Sequence, residues 1–152
     1  MNAKAKILIV DDEEVVRLSF VRILARANCD VQAIAGWSQV SHFAQQEPFD
    51  LVLLDLRMPD TDGITVLKAI KQRWPESEVI VITGYGTLET AKEAMVLGAY
   101  DYLLKPVGPE QVLEVCKAAL EHKRWALHNE PAGQESNRRE ILLKLRLGCR
   151  PT

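Results

Sequence analysis

The chain contains, at residues 51–55, the run LVLLD, in which four apolar residues lead into an aspartate. Apolar residues in an unbroken row, without alternation, are typical of a strand buried on both faces of a parallel sheet. A similar run, ILIV at residues 7–10, leads into Asp11 and Asp12 near the N-terminus. Both runs therefore predict buried parallel strands with acidic side chains at their carboxyl ends.

Outward from these two runs, short apolar segments alternate with amphipathic ones. Strands are predicted at residues 7–10, 31–34, 51–54, 79–82 and 100–104. Helices are predicted at residues 14–27, 38–45, 64–74, 88–97 and 109–127. The order predicts an α/β fold: a doubly wound five-stranded parallel sheet, flavodoxin-like (βα)5, in strand order 2-1-3-4-5.

Local signals support several of these boundaries. The first helix carries an apolar stripe that is expected to be buried, namely Val16, Phe20, Ile23 and Ala27. Thr87 is expected to cap the fourth helix and Gly98 to end it. Pro109 opens the last helix at a position where proline is tolerated, and Val112, Cys116 and Ala119 form its predicted inner stripe.

Length and composition predict one domain with a short extension. The chain has 152 residues, 47% of them hydrophobic, which is enough to bury one core. We assign residues 1–127 to the domain and 128–152 to a linker followed by a short tail. In that tail Ile141–Leu147 fits an amphipathic helix but also alternates like a strand. A disordered tail or a truncated further domain is the simplest interpretation, and a dimer or coupling segment is the alternative.

Charge and cysteine content limit the classes of partner. A formal net charge of -2 lacks the positive field that non-specific DNA binding requires, so no direct nucleic-acid contact is expected from this segment. The three cysteines are Cys29, Cys116 and Cys149, and their spacing does not resemble a disulfide framework. No stretch approaches a membrane span or an export signal, which predicts a cytoplasmic protein with no membrane partner.

Five polar residues are expected at one edge of the sheet, because the carboxyl ends of parallel strands meet there. They are Asp11, Asp12, Asp55, Thr83 and Lys105. Clustered carboxylates repel one another, and oxygen-only ligands suit Mg²⁺. We expect Asp12 to bind the ion directly, Asp11 to act through water or charge, Asp55 to contribute one oxygen, and the backbone carbonyl of Arg57 to complete the set.

This cluster predicts phosphoryl transfer to a carboxylate. Asp55 would attack the phosphoryl group and form an acyl phosphate. The metal, the Lys105 ammonium and the Thr83 hydroxyl would neutralise the equatorial oxygens, and Gly84 would leave room for them. No strong general base for a second substrate is evident, which favours a switch over an enzyme. At most, the chain would catalyse its own phosphorylation and dephosphorylation.

Four strings, ILIVDDEE, LVLLDLRMPDTDG, VIVITGYGT and GAYDYLLKP, resemble the receiver domain of two-component response regulators across residues 5–122. The resemblance implies that Asp55 is the phosphoacceptor, Thr83 the switch hydroxyl and Tyr102 a switch aromatic that swings inward. It also implies a cis bond between Lys105 and Pro106, and a histidine kinase or phosphorelay protein as the donor. The run at residues 82–106 is similar to receivers of the NtrC type, which regulate sigma-54 activators.

The switch would be read on the face formed by the fourth predicted helix, the fifth strand and the fifth helix. Exposed residues such as Lys92, Glu93 and Glu114 are expected on or near it. We expect a phosphorylation-promoted homodimer or a target contact there. Plainer interpretations remain open at this stage: Thr83 as a turn residue and Tyr102 as part of the core.

Two other classes of function compete with the switch. A phosphotransferase or phosphatase would want a second acid where Arg57 stands, and an FMN-binding protein would want a phosphate loop where acidic residues 11–14 stand. The three histidines, His42, His122 and His128, show no metal-ligand spacing and are expected at the surface.

Overall fold

The structure, a computed structural model, describes residues 4–39, 48–59 and 61–129. Its strands are β1 Lys6–Val10, β2 Asp30–Ile34, β3 Leu51–Leu54, β4 Glu78–Thr83 and β5 Asp101–Leu104. The helices in these ranges are α1 Glu14–Ala25, α2 Gly63–Arg73, α3 Leu88–Val96 and α4 Pro109–Asn129. All strand pairs are parallel, in the order β2-β1-β3-β4-β5, which confirms the predicted doubly wound sheet.

Parts of the prediction fall on residues that are not described. Residues 37–39 form a single 3₁₀ turn, and the remainder of the predicted helix at 38–45 lies outside the described ranges. The same holds for the predicted linker and tail from residue 130 onward. Within the part of the chain that is described, no helix is both long and apolar enough to cross a membrane.

The sheet has a separate hydrophobic core on each face. On one face, alternate residues of the central strands pack against α2 and α3, including Leu8, Val52, Val81, Leu67 and Ala94. On the other face, the intervening residues pack against α1 and α4, including Ile9, Leu53, Ile80, Phe20 and Cys116. Every residue of β3 and β4 is buried, which explains the unbroken apolar runs at residues 51–54 and 79–82, and the polar Glu78 and Thr83 are confined to the ends of β4.

Helix α1 ends two residues earlier than predicted. Its last turn is tightened by bonds from Ala27 N–H to Leu24 O and from Asn28 N–H to Ala25 O, and Asn28 adopts a left-handed φ of 56°. Asparagine tolerates that conformation better than most residues. As a result Ala27 is exposed, and the buried positions of α1 are Phe20 and Leu24.

Helix α3 begins at Leu88 as predicted and ends at Val96, one residue before its predicted end. The Thr87 side chain accepts a hydrogen bond from Thr90 N–H, and Gly98 has a φ of 103° just past the helix end. In α4 the predicted inner stripe of Val112, Cys116 and Ala119 is buried. The helix continues to Asn129, beyond its predicted end.

Strand register places the chemistry at one edge of the sheet. Val10 of β1 is paired with Leu54 of β3, so Asp11 and Asp55 leave neighbouring strands at the same level. Thr83 ends β4 opposite Leu104 of β5, which Lys105 follows directly. The expected meeting of these residues at the carboxyl ends of the strands is therefore observed.

Candidate phosphoacceptor site

Four acidic side chains converge at this edge. Asp11 and Asp55 are buried, whereas Asp12 and Glu13 are exposed. Each offers a carboxylate oxygen, and these oxygens all lie within 4.8 Å of one another. The cluster contains the three aspartates that the sequence predicted. Glu13 was missed, although its position directly after the aspartate pair could have suggested it.

Lys105 joins the two buried carboxylates. Its Nζ lies 2.8 Å from Asp11 Oδ2 and 3.0 Å from Asp55 Oδ2, with Glu13 Oε1 at 3.6 Å. The Lys105–Pro106 peptide bond is cis, as predicted. The lysine is also fixed through its backbone, since its N–H donates to Thr83 O at 2.9 Å.

Burial and neighbouring charges shift the pKa values of Lys105 and Asp11 in opposite directions. Burial disfavours the ammonium of Lys105, but hydrogen bonds to Asp11 and Asp55 outweigh burial and raise the lysine pKa. Burial dominates at Asp11 and raises its pKa despite the Lys105 contact. Lys105 therefore stays charged beside the four carboxylates of the cluster.

The donor set fits a hard divalent cation. Carboxylate oxygens at mutual distances below 4.8 Å, on one open edge of the sheet, suit Mg²⁺, which prefers oxygen ligands. Both oxygens of Asp11 already accept hydrogen bonds, Oδ1 from Glu13 N–H at 2.9 Å and Oδ2 from Lys105. Asp55 Oδ1 accepts from Arg57 N–H at 3.0 Å, which orients that carboxylate.

Thr83 lies beside the cluster and is fully buried. Its Oγ1 accepts a hydrogen bond from Tyr85 N–H at 3.3 Å. In this structure Thr83 therefore makes the contact of a turn residue, as the plainer interpretation of the sequence expected. A Cβ built at Gly84 would have no heavy atom within 4 Å apart from those of its chain neighbours. The predicted role of Gly84 in leaving room for a phosphoryl group stays a prediction.

Tyr102 is buried, with 2% of its surface exposed. Its hydroxyl lies 2.9 Å from Thr90 Oγ1 on the first turn of α3. Burial raises the tyrosine pKa, although the Thr90 contact works in the opposite direction. The sequence did not suggest Thr90 as a partner of this ring.

A second unpredicted contact bridges the loops above the site. The guanidinium carbon of Arg57 lies 3.7 Å from the centre of the Tyr85 ring, in cation–π geometry. Arg57 follows β3 and Tyr85 follows β4, so the pair flanks Asp55 and Thr83. Sequence spacing gives no signal for such a contact.

The expectation of a surface position is wrong for His122. Its side chain is only 12% exposed, and Nδ1 lies 2.7 Å from the buried Glu78 Oε2. The neighbouring Lys123 Nζ lies 2.6 Å from Asp50 Oδ1. Both pairs anchor α4 at the amino ends of β3 and β4, opposite the acidic cluster, and belong to the scaffold. The side chains of His42 and His128 lie outside the described part.

An acidic cluster with a buried aspartate, a bridging lysine and a neighbouring threonine, on a sheet of order 2-1-3-4-5, defines a class of signalling domain. The chain belongs to the response regulator receiver domain family, which it matches over residues 7–117. It is a phosphorylation-dependent switch domain of two-component systems. Receiver domains generally bind Mg²⁺.

Individual relatives narrow the class to receivers of the NtrC type. The chain is 38% identical over 118 residues to response regulator protein PilR of Pseudomonas aeruginosa, covering 78% of this chain and 26% of PilR. It is 34% identical over 121 residues to the DNA-binding transcriptional regulator NtrC of Proteus hauseri, covering 80% and 26%. The chain thus spans about a quarter of the length of the curated relatives it matches.

Solved structures of receiver domains have the same fold as this chain. The beryllofluoride-activated NtrC4 receiver domain dimer superposes with a TM-score of 0.73 at 36% identity, over 78% of this chain and 98% of that one. The CheY-like receiver from Methanospirillum hungatei gives 0.76 at 31% identity, over 80% and 98%.

Proposed function

We propose that Asp55 is the phosphoacceptor and that its donor is a histidine kinase or phosphorelay protein. The observation that carries this assignment is the contact of Lys105 Nζ with both buried aspartates, at 2.8 and 3.0 Å. Lys105 contacts the buried carboxylates of both Asp55 and Asp11. The Asp55 carboxylate is also oriented by a hydrogen bond from Arg57 N–H. Carboxylate attack on phosphorus would form an acyl phosphate and release the donor's histidine.

The other residues would neutralise the charge that the transferred group carries. Bound Mg²⁺ would supply positive charge for the phosphoryl oxygens, held by Asp12, Asp55 and the Arg57 carbonyl, with Asp11 acting at longer range. Lys105 would move its hydrogen bond from Asp55 to a phosphoryl oxygen. The Thr83 hydroxyl, whose oxygen accepts from Tyr85 N–H, would donate its proton to another such oxygen. Turnover would be limited to the chain's own phosphorylation and dephosphorylation.

The kinase would dock on α1, beside the acidic cluster. Val15 and Leu18 are large apolar residues that are 76% and 57% exposed, three positions apart and therefore on one face of the helix. An apolar pair beside the phosphoacceptor suits a helical partner that must present a histidine to Asp55.

The output surface would be the face formed by α3, β5 and α4. Lys92, Glu93 and Glu114 are exposed there, as expected. A surface cavity of about 690 Å³ lies between β5 and α4, lined in part by Tyr102 and Glu114. The activated NtrC4 receiver is described as a dimer, and we infer that phosphorylation promotes the same association here. The readout would be transcriptional, as the description of the NtrC relative as a transcriptional regulator suggests.

Labelling with a small phosphodonor such as acetyl phosphate tests the assignment of Asp55. The chain should gain one phosphoryl group in intact-mass spectra only when Mg²⁺ is present. Asp55→Asn should abolish the gain, while Asp62→Asn, which alters an exposed aspartate at the start of α2, should leave it unchanged. Undiminished labelling of Asp55→Asn would show that another residue is phosphorylated.

A further inference from the structure

The anchor of Tyr102 is separate from Thr83. The tyrosine hydroxyl is bonded to Thr90 Oγ1 at 2.9 Å, while Thr83 Oγ1 is occupied by Tyr85 N–H. The inward ring and a Thr83 turned toward Tyr85 are therefore compatible in one packing. A switch in which the ring merely followed Thr83 would not need a hydrogen-bond partner on α3.

Thr90 is itself held in place by the N-terminus of α3. Its Oγ1 accepts from Thr87 N–H at 3.0 Å and lies 3.0 Å from Thr87 O, while Thr90 N–H donates to Thr87 Oγ1 at 3.1 Å. A hydroxyl has one proton to donate and two lone pairs. The Thr87 hydroxyl also lies 3.1 Å from Thr90 Oγ1. When Thr90 donates to Thr87 O and the Thr87 proton is turned away, the remaining lone pair of Thr90 accepts from Tyr102, and the tyrosine is then the donor.

Gly86 provides the space for the ring. A Cβ built at this position would lie 2.5 Å from Tyr102 Oη, 2.8 Å from Tyr102 Cε1 and 2.6 Å from Leu104 Cδ2. Any side chain here would collide with the ring in its present position. The inward site of Tyr102 is therefore formed by Gly86 for space and Thr90 for the hydrogen bond.

We propose that Thr90 is a positioning residue that holds Tyr102 inward independently of Thr83. The inference rests on the proposed function in one respect, the role of Tyr102 in the switch. It follows that the ring equilibrium of this receiver is biased inward by α3, and that a phosphoryl group at Asp55 adds to this bias. Loss of one such hydrogen bond should lower the inward population relative to the outward one by about fivefold.

Fluorotyrosine labelling of the full chain measures this population. The sequence has only three tyrosines, so three fluorine resonances are expected, and Tyr→Phe variants assign them. Thr90→Val should move the Tyr102 resonance toward a solvent-exposed position, whereas Thr90→Ser should retain the wild-type position. Thr65→Val is the matched control, because Thr65 occupies the same third position of α2, contacts the N-cap Asp62 and is exposed.

A second variant separates the tyrosine bond from the helix cap. Tyr102→Phe removes the same hydrogen bond but leaves the capping interactions of Thr87 and Thr90 in place. It should shift the Gly86 amide resonance, since Gly86 lies against the ring edge, while the resonances of α3 beyond its first turn stay unchanged. Gly86→Ala should expel the ring even with Thr90 present.

Beryllofluoride with Mg²⁺ serves as the phosphoryl probe. In Thr90→Val the probe should return the Tyr102 resonance toward the inward position, so that its response exceeds that of the wild type. A Tyr102 resonance that is unchanged by Thr90→Val without the probe overturns the inference, even if Asp55 binds the probe normally. If the probe leaves the Asp55 and Thr83 amides unchanged in wild type, the proposed function fails instead, and the effect of Thr90→Val without probe still decides the anchor.

Discussion

The acidic cluster depends on one lysine for its stability. Lys105 is the cation that the structure places between Asp11 and Asp55, and both carboxylates are buried. Removing one member of a buried ion pair leaves the remaining charge uncompensated, which costs more than the pair itself contributes. The two buried carboxylates that would receive the metal and the phosphoryl group therefore also lower the stability of the fold unless Lys105 compensates their charge.

Lys105→Met should lower the free energy of unfolding by about 3 kcal/mol in the absence of divalent cations. Because Mg²⁺ supplies positive charge to the same carboxylates, saturating Mg²⁺ should stabilise the variant more than it stabilises the wild type. Urea unfolding with and without Mg²⁺ measures both effects, with Lys92→Met, at an exposed position on α3, as the control. Equal stabilisation of both proteins by Mg²⁺ would contradict the replacement of the Lys105 charge by that of the ion, and stabilisation of neither would contradict a metal site at these carboxylates.

Asp11 and Asp12 should differ in their effect on Mg²⁺ affinity. Both oxygens of Asp11 are occupied by Glu13 N–H and Lys105, which suits an indirect role, whereas Asp12 is exposed beside them. Loss of an outer contact weakens metal binding by about tenfold or somewhat more. Asp11→Asn should fall in that range, and Asp12→Asn should lose more. Calorimetric titration that finds equal losses would refute the division of roles.

At the scale of elements, the sequence identified strands and helices well but not their contacts. The unbroken apolar runs predicted the central strands because burial on both faces favours apolar residues, and the buried polar residues of β4 and β5, Glu78, Thr83 and Asp101, lie at the strand ends. The predicted apolar stripe of α1 was wrong at Ala27, because the helix is shorter than predicted, and the prediction did not include the buried Leu24. Side-chain contacts between loops, such as Arg57 with Tyr85, depend on loop geometry that spacing does not encode.

Helix α4 is fastened to the sheet by a pair whose strength should depend on pH. Burial alone would raise the pKa of Asp50, but hydrogen bonds from Lys123 and from Lys6 N–H outweigh it and lower the pKa below its ordinary value. A carboxyl with a depressed folded-state pKa stabilises the fold above its unfolded pKa, and this stability is lost as the pH falls through the folded pKa.

Lys123→Met should therefore cost about 1 kcal/mol at pH 7, a modest value because the pair is partly exposed and screened by solvent. The difference from wild type should shrink below about pH 4, where the unfolded-state Asp50 begins to bind its proton. Urea unfolding across this range gives the comparison, and Lys117→Met, at an exposed position on the same helix, is the control. A difference that stays constant down to acid pH would mean that packing, not charge, fastens the helix.

For the whole molecule, the sequence predicted the fold class, the family and the meeting of the polar residues at one edge of the sheet, because strand ends and their polar residues are local features. It did not predict which packing Tyr102 adopts, since that depends on Gly86 and Thr90 from another element. The output of the switch depends on the same contacts. Interconversion between two discrete packings would link Asp55 to a surface on α3, β5 and α4.

Large apolar side chains on that surface make association the expected readout. Val96 is 76% exposed and Leu104 is 48% exposed, on α3 and β5 respectively. Beryllofluoride with Mg²⁺ should shift amide resonances of α3 and β5 and increase the sedimentation coefficient in a concentration-dependent way. Val96→Ser should weaken this association, whereas Val15→Ser, on the separate α1 surface, should leave it intact.

Tyr102→Ala should uncouple phosphorylation at Asp55 from association through the face formed by α3, β5 and α4. The Tyr102 hydroxyl is hydrogen-bonded to Thr90 and not to a carboxylate of the acidic cluster, so Asp55 should still take the phosphoryl group from a small donor, with the mass gain of wild type. The probe can shift the association equilibrium only through its different interaction with the two packings, and the ring distinguishes them. Sedimentation of the variant should therefore show no response to the probe. If amide shifts stay confined to the pocket in the wild type, while α3 and β5 remain silent, the signal does not leave the site by this route.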